Sequence, residues 1–391
     1  MKNQTQNYIV HYGELSLKGN NRYKFEQRLI YNIHTALADL GEIRLHKFHS
    51  YFIVEVDASA PTEVLERRLR RIFGIAYVAP TMIVPPEMDV ITETALDLAE
   101  GVITPQTTFA VDTRRGDKQF PVKSPEVNRR VGAAIVDATQ APVQLNDPDV
   151  TLDIQIYEAA AYLFLRRLQG AGGLPIGASG RVLALFSGGI DSPVAVHKMH
   201  KRGCNVDFLH FHLQPSAQQA RDSKIVAMAR ALLAPHRLSA PLYLASSELF
   251  EVAISTYDTA LATVAFRRFM MRVAERIAYR RDAVALVTGE SVGQVASQTL
   301  KNIDVIGRAA ERAILRPLVG MDKQEIVNIA QEIGTFDLSI QPYKDPCSIH
   351  VQRPDTWANL AEVEALEEKL DIDALVDRTL ADYVDEVWIR F

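Results

Sequence analysis

The spacing of apolar and polar residues changes near residue 180 and predicts two kinds of structure in one chain. Before that point, short apolar runs such as residues 51–56 predict strands. Amphipathic stretches such as residues 62–74, which end at a glycine, predict helices. These strands and helices mix in short modules rather than in a long strand–helix series, which favours an α+β fold for the first half.

From residue 181 onward, continuous apolar runs are separated by helical segments. The runs lie at residues 181–186, 205–213, 241–246, 283–290 and 313–320. Strands that are apolar on both faces and alternate with helices predict an α/β domain with a doubly wound parallel sheet. We expect the acidic, helical stretch 356–383 to pack on the outside of the domain. The glycine-rich stretch 170–180 shows no periodic spacing of apolar residues, so we interpret it as the domain boundary.

Composition narrows the class of protein. The chain has 391 residues, 48% hydrophobic and 23% charged, as expected for a folded, soluble protein of two or three domains. No apolar run approaches the about 18 residues of a membrane span, and the polar amino terminus does not resemble a signal peptide. The two cysteines, Cys204 and Cys347, argue against a disulfide scaffold and predict a cytoplasmic protein.

Positively charged residues are clustered along the sequence, although the net charge of the chain is only −5. Four arginines lie within residues 67–71, and arginine pairs lie at residues 114–115, 129–130 and 166–167. Further arginines follow at residues 267–281. Each group can be a solvated helix face with glutamate partners. Each can equally hold phosphates.

One sharp corner, Ser-Gly-Gly-Ile-Asp-Ser at residues 187–192, joins an apolar strand to a helix. Gly188 and Gly189 are expected to let the backbone bend so that N–H groups point into one concavity, beside the positive end of the helix. Ser187 and Ser192 can donate to phosphate oxygens. Asp191 would repel phosphate unless a cation lies between them, so we interpret it as a Mg²⁺ ligand. A plain turn with Ser192 as helix cap is the alternative.

This corner resembles the PP-loop of ATP pyrophosphatases, which adenylate a carbonyl-type oxygen. The stretches 12–26, 170–177, 288–302 and 315–326 together resemble the tRNA sulfurtransferase family, in the same order along the chain. The resemblance implies a ferredoxin-like domain at residues 1–60, a THUMP RNA-binding domain at 61–169, a linker at 170–180 and a PP-loop domain at 181–391. No cysteine follows Cys347, so the resemblance is to the form without a carboxyl-terminal rhodanese domain.

The resemblance also implies the activity: ATP- and Mg²⁺-dependent transfer of persulfide sulfur to uridine 8 of tRNA, giving 4-thiouridine. It implies a cysteine desulfurase as sulfur donor, a second transfer to the thiamine sulfur-carrier protein, and a homodimer. A synthetase that adenylates a small carboxylate is the alternative enzyme, but it would need neither the first half of the chain nor a loop cysteine. A tRNA-binding module with a degenerate nucleotide fold is the alternative without catalysis.

Matched motif by motif, the family's nucleotide pocket falls on seven residues beside the loop. They are Leu185, Phe186, His210, Phe211, Arg267, Gly289 and Gln298. His210 and Phe211 end the second strand, where an adenine could stack. Gly289 would let backbone approach a ligand closely, and Gln298 offers a donor and an acceptor.

Three further assignments follow. Asp322 and Glu325 are spaced as a capping box, and Lys323 at that helix start hints at an anionic ligand. Cys347 matches the family's loop cysteine, either as persulfide carrier or as disulfide-forming partner, whereas Cys204 is expected to be buried. The THUMP resemblance assigns tRNA backbone binding to the arginines of the first half, for which we choose Arg114, Arg115, Arg129 and Arg130.

Overall fold

The computed structural model describes residues 5–344, 346 and 355–391, with the backbone alone for Ala217. The chain divides into two compact units, Met1–Gly173 and Leu174–Phe391. The division falls inside the glycine-rich stretch 170–180. Among the described residues, no helix is long and apolar enough to cross a membrane.

The first unit contains two sheets with helices packed on them. In chain order its elements are β1 (Thr5–Tyr12), α1 (Arg22–Leu37), β2 (Ile43–Lys47), β3 (Tyr51–Asp57), α2 (Thr62–Arg71), β4 (Ile75–Pro80), β5 (Met82–Val84), α3 (Met88–Ala99), β6 (Phe109–Arg115), α4 (Ser124–Thr139), β7 (Val150–Ile156), β8 (Ala161–Phe164) and β9 (Leu168–Gln169). One sheet has the order β2-β3-β1-β4-β9 and the other β5-β8-β7-β6. This confirms the predicted α+β class.

The five-stranded sheet is antiparallel throughout and reaches beyond residue 60, because β4 pairs with β1. An aromatic cluster joins the two sheets, with side chains from their strands and from the turns that follow β2 and β7. It comprises Phe48, Tyr51, Tyr77, Tyr157 and Tyr162. His11 stacks on Tyr77 at 4.6 Å, and burial lowers the pKa of its imidazole to about 4. The arginines at residues 114 and 115 end β6, which pairs in parallel with β7.

The second unit is built on a six-stranded sheet of order β14-β13-β10-β11-β12-β15. In chain order its elements are β10 (Arg181–Leu185), α5 (Asp191–Lys201), β11 (Asn205–His212), α6 (Ala217–Arg221), α7 (Lys224–Leu233), β12 (Ala240–Ser246), α8 (Glu248–Ile254), α9 (Ala262–Arg280), β13 (Ala285–Val287), α10 (Leu300–Gly307), β14 (Ala313–Leu315), α11 (Lys323–Glu332), α12 (Phe336–Ser339), α13 (Leu360–Leu370), α14 (Ile372–Asp382) and β15 (Val384–Ile389). The five strands predicted from apolar runs pair in parallel, which confirms the α/β assignment.

The carboxyl-terminal stretch differs from the prediction in two ways. It ends in β15, which pairs antiparallel with β12 and makes the sheet mixed. Helices α13 and α14 do not lie simply outside the domain, because Val363, Leu366 and Val376 are buried in one of the two apolar cores that flank the sheet. Apolar side chains at helical spacing in this acidic stretch provide that contact.

Candidate active site

The predicted corner lies between β10 and α5 and is held by one hydroxyl. Ser187 donates its backbone N–H to Ser192 Oγ at 3.0 Å, and Ser192 Oγ donates back to the Ser187 carbonyl at 3.0 Å. Ser192 is buried, and its hydroxyl proton is used in a hydrogen bond within the loop. Ser192 is not the helix cap of the alternative interpretation, because α5 begins at Asp191 and has no side-chain cap hydrogen bond. Its hydroxyl holds the loop, and its predicted role in phosphate binding stays a prediction.

The two loop glycines are not there for a left-handed backbone, since neither has a positive φ. Gly188 is instead required by a neighbour: a Cβ there would lie 2.9 Å from Tyr343 Cδ1 and 3.2 Å from Lys224 Cε. At Gly189 a Cβ would make only an ordinary contact with Ser187, at 3.6 Å. The backbone bends at residues 188–190, as expected, and at Gly188 the covering aromatic ring is a second reason for a glycine.

Gly289, just after β13, faces the start of α5. A Cβ on it would lie 2.9 Å from both the Asp191 carbonyl carbon and the Ser192 nitrogen. The close approach of the helix backbone therefore requires a glycine here. Gly289 thus allows the amino terminus of α5 to lie close to the chain that follows β13. Gly289 also lines the cavity described below, and the approach of a ligand to it stays a prediction.

Asp191 and Lys323 form an ion pair at this corner. Lys323 Nζ lies 2.7 Å from Asp191 Oδ1, and Gln294 Nε2 donates to Asp191 Oδ2 at 3.0 Å. The predicted capping box is present, with Asp322 and Glu325 each bonded to the other's backbone N–H, and it starts α11 at Lys323. Two candidates separated by 132 residues of sequence thus meet at one edge of the sheet.

A cavity of about 450 Å³ opens beside this corner, at the carboxyl ends of β10, β11 and β13. Its volume is within the range of small-molecule sites. It brings together most of the residues matched from the sequence, namely Leu185, Phe186, Ser187, Asp191, Ser192, His210, Phe211, Arg267, Gly289 and Gln298. Gly188, Gly189 and Lys323 are not among its lining residues. Its remaining wall is mainly apolar, from α9 and the segment around residue 296.

His210 is buried in the cavity wall, with both ring nitrogens engaged. Nδ1 donates to the Phe186 carbonyl at 2.7 Å, because a carbonyl can only accept. Nε2 lies 2.7 Å from the Tyr343 hydroxyl. In the neutral tautomer that hydroxyl donates to Nε2. The ring therefore links the first two strand ends to the segment that precedes Cys347.

Tyr343 and Lys224 were missed by sequence reasoning. Lys224, the first residue of α7, donates to the carbonyl oxygens of Ser339 and Gln341, each at 2.7 Å. Its ammonium also lies 5.7 Å from the centre of the Tyr343 ring. These contacts hold α7 and residues 339–343 beside the loop at residues 187–192. Only the position of Tyr343, four residues before Cys347, could have drawn attention to it.

Glu290 is the third residue that the sequence did not single out. It is buried in the cavity wall, and its carboxylate accepts from Arg267 Nη1 at 2.8 Å and from Arg316 Nε at 2.7 Å. The Thr288 hydroxyl donates to the same carboxylate at 2.9 Å. Arg267 therefore reaches the cavity as predicted, but as part of an ionic cluster.

Only one of the two cysteines belongs to the part of the chain that the structure describes. Cys347 lies outside the described residues. Cys204 is buried, as expected, and burial raises the pKa of its thiol. A protonated, buried thiol is a poor nucleophile, so Cys204 is unsuited to sulfur chemistry.

The candidate arginines of the first unit are mostly exposed. Arg129 and Arg130 project from α4 and share the Glu126 carboxylate, and their hydrogen bonds lower its pKa to about 2. Arg114 lies 3.4 Å from Asp112, and Arg115 donates to the Phe120 carbonyl. A role in binding tRNA stays a prediction.

Most other clumped arginines have acidic partners. They pair as Arg68–Asp39, Arg166–Glu66, Arg167–Asp153, Arg268–Glu367, Arg272–Glu367, Arg276–Asp377 and Arg281–Asp207. For these groups the structure supports the interpretation as ion-paired helix faces and junctions.

Comparison with known proteins matches three successive parts of the chain. The family models are the ThiI ferredoxin-like domain at residues 7–79, the THUMP domain at 86–166 and the thiamine biosynthesis protein (ThiI) at 177–372. A probable tRNA sulfurtransferase of Alkaliphilus metalliredigens is 36% identical over 386 residues, covering 96% of each chain. One of Moorella thermoacetica is 40% identical over 377 residues, covering 95% of each.

Among solved structures, a 4-thiouridine synthetase–RNA complex with bound ATP is similar to this chain. The TM-score is 0.86 at 30% identity, and the match covers 98% of this chain and 100% of that one. A protein from Pyrococcus horikoshii, at 22% identity and a TM-score of 0.64, shares the fold.

Proposed function

The chain belongs to the thiamine biosynthesis protein (ThiI) family of tRNA sulfurtransferases, and on that premise we propose that it uses ATP to convert uridine 8 of tRNA to 4-thiouridine. The observation that carries the proposal is the cavity at the strand ends, with the Asp191–Lys323 pair at the amino terminus of α5. An apolar chamber beside a helix amino terminus suits a nucleotide, with the base in the chamber and the phosphates at the helix.

Asp191 and Lys323 supply opposite charges where the phosphates would lie. Lys323 is half exposed and can turn from Asp191 to a phosphate oxygen. Asp191 would then be free to hold a cation. Mg²⁺ is usually held by one or two carboxylates together with substrate phosphates, and a single carboxylate at this corner fits that pattern. When bound, the ion would neutralise charge that develops on the phosphates.

Adenylation solves a leaving-group problem. Uridine O4 attacks the α-phosphorus of ATP, the new O4–P bond forms, and pyrophosphate leaves. The terminal sulfur of a persulfide on Cys347 then attacks C4, and AMP carries away the oxygen. A thiol finally cleaves the sulfur–sulfur bond, which releases 4-thiouridine and leaves a disulfide for reduction. Because Cys204 is buried, that thiol comes from outside the chain.

The position of Cys347 in the sequence suits this role. Tyr343 packs against Gly188 of the loop, and Cys347 follows four residues later. Cys347 itself lies outside the described residues, so its role rests on the family resemblance and on this position in the sequence.

The remaining parts of the proposal rest on the family. The THUMP domain and the exposed arginines of α4 and β6 would hold the tRNA backbone. A cysteine desulfurase would load the persulfide, the thiamine sulfur-carrier protein would be a second acceptor, and the enzyme would work as a cytoplasmic homodimer.

The test is to incubate the purified chain with ATP, Mg²⁺, a persulfide donor, a thiol reductant and unmodified tRNA. We expect pyrophosphate release that depends on tRNA, together with 4-thiouridine detected by mass spectrometry of the nucleosides. Pyrophosphate release at the same rate without tRNA would contradict the proposal and favour the small-carboxylate synthetase.

A further inference from the structure

Two adjacent arginines of α9 serve different parts of the second unit. Arg267 lines the nucleotide cavity and bonds to Glu290, whereas Arg268 points to the carboxyl-terminal helices and bonds twice to Glu367, at 2.7 and 2.9 Å. Both glutamates are 3% exposed, and each binds a second arginine: Arg316 for Glu290 and Arg272 for Glu367. The described residues thus contain two ionic clusters in which two arginines bind one buried glutamate, of which one faces the cavity and the other also includes Glu364, 3.5 Å from Arg268.

A buried carboxylate in the wall of a cavity for ATP requires an explanation, because its charge repels the ligand. In this cluster two guanidinium groups and one carboxylate leave a net charge of one positive unit. Glu290 therefore does not make the wall anionic. Instead it fixes the direction of Arg267 through Nη1, and Thr288 and Arg316 in turn fix Glu290.

Arg267 keeps donor capacity beyond this contact. Its Nε is buried and has no hydrogen-bond acceptor among the described residues. Arg272 Nε in the other cluster also has no acceptor, and a buried atom offers a ligand no accessible surface, so Nε alone does not indicate a nucleotide contact. The rest of the Arg267 side chain does, because it lines the cavity and is 18% exposed. A donor whose orientation is set before the ligand arrives binds it more tightly, because less ordering is required on binding.

We infer that Glu290 is a positioning residue for nucleotide binding: it holds Arg267 in the orientation that meets ATP, and Arg316 braces it from outside the cavity. The inference rests on the proposed function in so far as ATP is the ligand. It goes further than that function in one respect, because it attributes ATP binding to the orientation of Arg267 and not only to its positive charge.

Glu290→Gln tests whether the orientation of Arg267 or its charge determines the affinity for ATP. The change keeps the shape of the side chain but raises the cluster from one positive charge to two. If charge alone mattered, ATP would bind more tightly. We expect the opposite, a Kd for ATP raised about tenfold to a hundredfold, the worth of one charge-assisted hydrogen bond. In tRNA-dependent pyrophosphate release, the KM for ATP should rise by a similar factor and kcat should change much less.

Glu367→Gln is the matched control, because it makes the same change in the cluster that faces away from the cavity. It should lower thermal stability as Glu290→Gln does, yet leave the Kd for ATP within about twofold, since the sites share no partner. Unchanged or tighter ATP binding by Glu290→Gln would overturn the inference. Equal weakening by both variants would also overturn it.

If Glu290→Gln does not fold, Arg316→Lys replaces it, with Arg272→Lys as its control. Arg316 is not a cavity-lining residue, so weaker ATP binding in Arg316→Lys has to act through Glu290. Binding is measured on the full chain with ATP and without tRNA or sulfur donor. A wild-type chain that binds ATP but forms no 4-thiouridine would refute the proposed function alone, whereas an unaltered Kd in these variants would refute the inference alone.

Discussion

Gly289→Ala is the substitution whose effect follows most directly from coordinates. The added Cβ would lie 2.9 Å from two backbone atoms at the start of α5 and 3.1 Å from a third, all within Asp191 and Ser192. Ordinary contact begins at 3.4 Å, so the helix start has to move by about 0.5 Å or more. Backbone cannot rotate away as a side chain does. Overpacking of this kind costs about 1–3 kcal/mol of the free energy of unfolding.

The loss of activity should exceed the loss of stability. A misplacement of about 1 Å at a catalytic site can cost about a hundredfold in rate, and the shift falls on Asp191. We expect Gly289→Ala to unfold a few degrees lower and to release pyrophosphate tenfold to a hundredfold more slowly. Gly320→Ala is the control, because a Cβ there meets nothing within 4 Å. A Gly289→Ala enzyme with wild-type Tm and wild-type rate would refute the reasoning.

Two other predictions concern the charges at the site and on the first unit. Asp191→Ala should lower tRNA-dependent pyrophosphate release by about a thousandfold or more, with a normal circular dichroism spectrum, because the charge-neutralising cation would have one ligand fewer; near-normal release would rule out the metal role. Replacing Arg114, Arg115, Arg129 and Arg130 together by Ala should weaken tRNA binding and reduce the slope of log K against log salt by about 0.7 to 0.9 for each phosphate that the protein no longer neutralises. An unchanged slope in a filter-binding titration would mean that these arginines only face solvent.

The elements that the sequence predicted well are those with long one-sided or two-sided apolar patterns. Four of the five parallel strands of the second unit, β10 to β13, are mostly buried along their length, which explains their apolar runs, whereas the edge strand β14 is partly exposed. Strand β15 was missed because Val384–Ile389 mixes charged and apolar residues at a sheet edge, where one side is open to solvent. The core contacts of α13 and α14 were missed because their many acidic residues were given more weight than the apolar residues that recur at helical spacing.

In the site, the loop could be predicted because its residue types and spacing carry the chemistry locally. The residues that hold the loop in place could not. Tyr343 reaches His210 across 133 residues of sequence, and no pattern in one segment announces such a contact. Glu290 illustrates the same limit, since a glutamate after a strand indicates a buried ionic cluster only when its two arginines are seen around it.

The central claim is that Cys347 carries the sulfur after the nucleotide site has activated the tRNA. The measurement is the ratio of 4-thiouridine formed to pyrophosphate released by Cys347→Ser, with a persulfide donor, a thiol reductant and unmodified tRNA. A serine hydroxyl cannot form a persulfide, while the phosphate loop is unchanged. The account predicts tRNA-dependent pyrophosphate release without 4-thiouridine, and Cys204→Ser, changed at the buried thiol, should form both products as the wild type does. A Cys347→Ser enzyme that makes 4-thiouridine at the wild-type rate from the persulfide donor would contradict it.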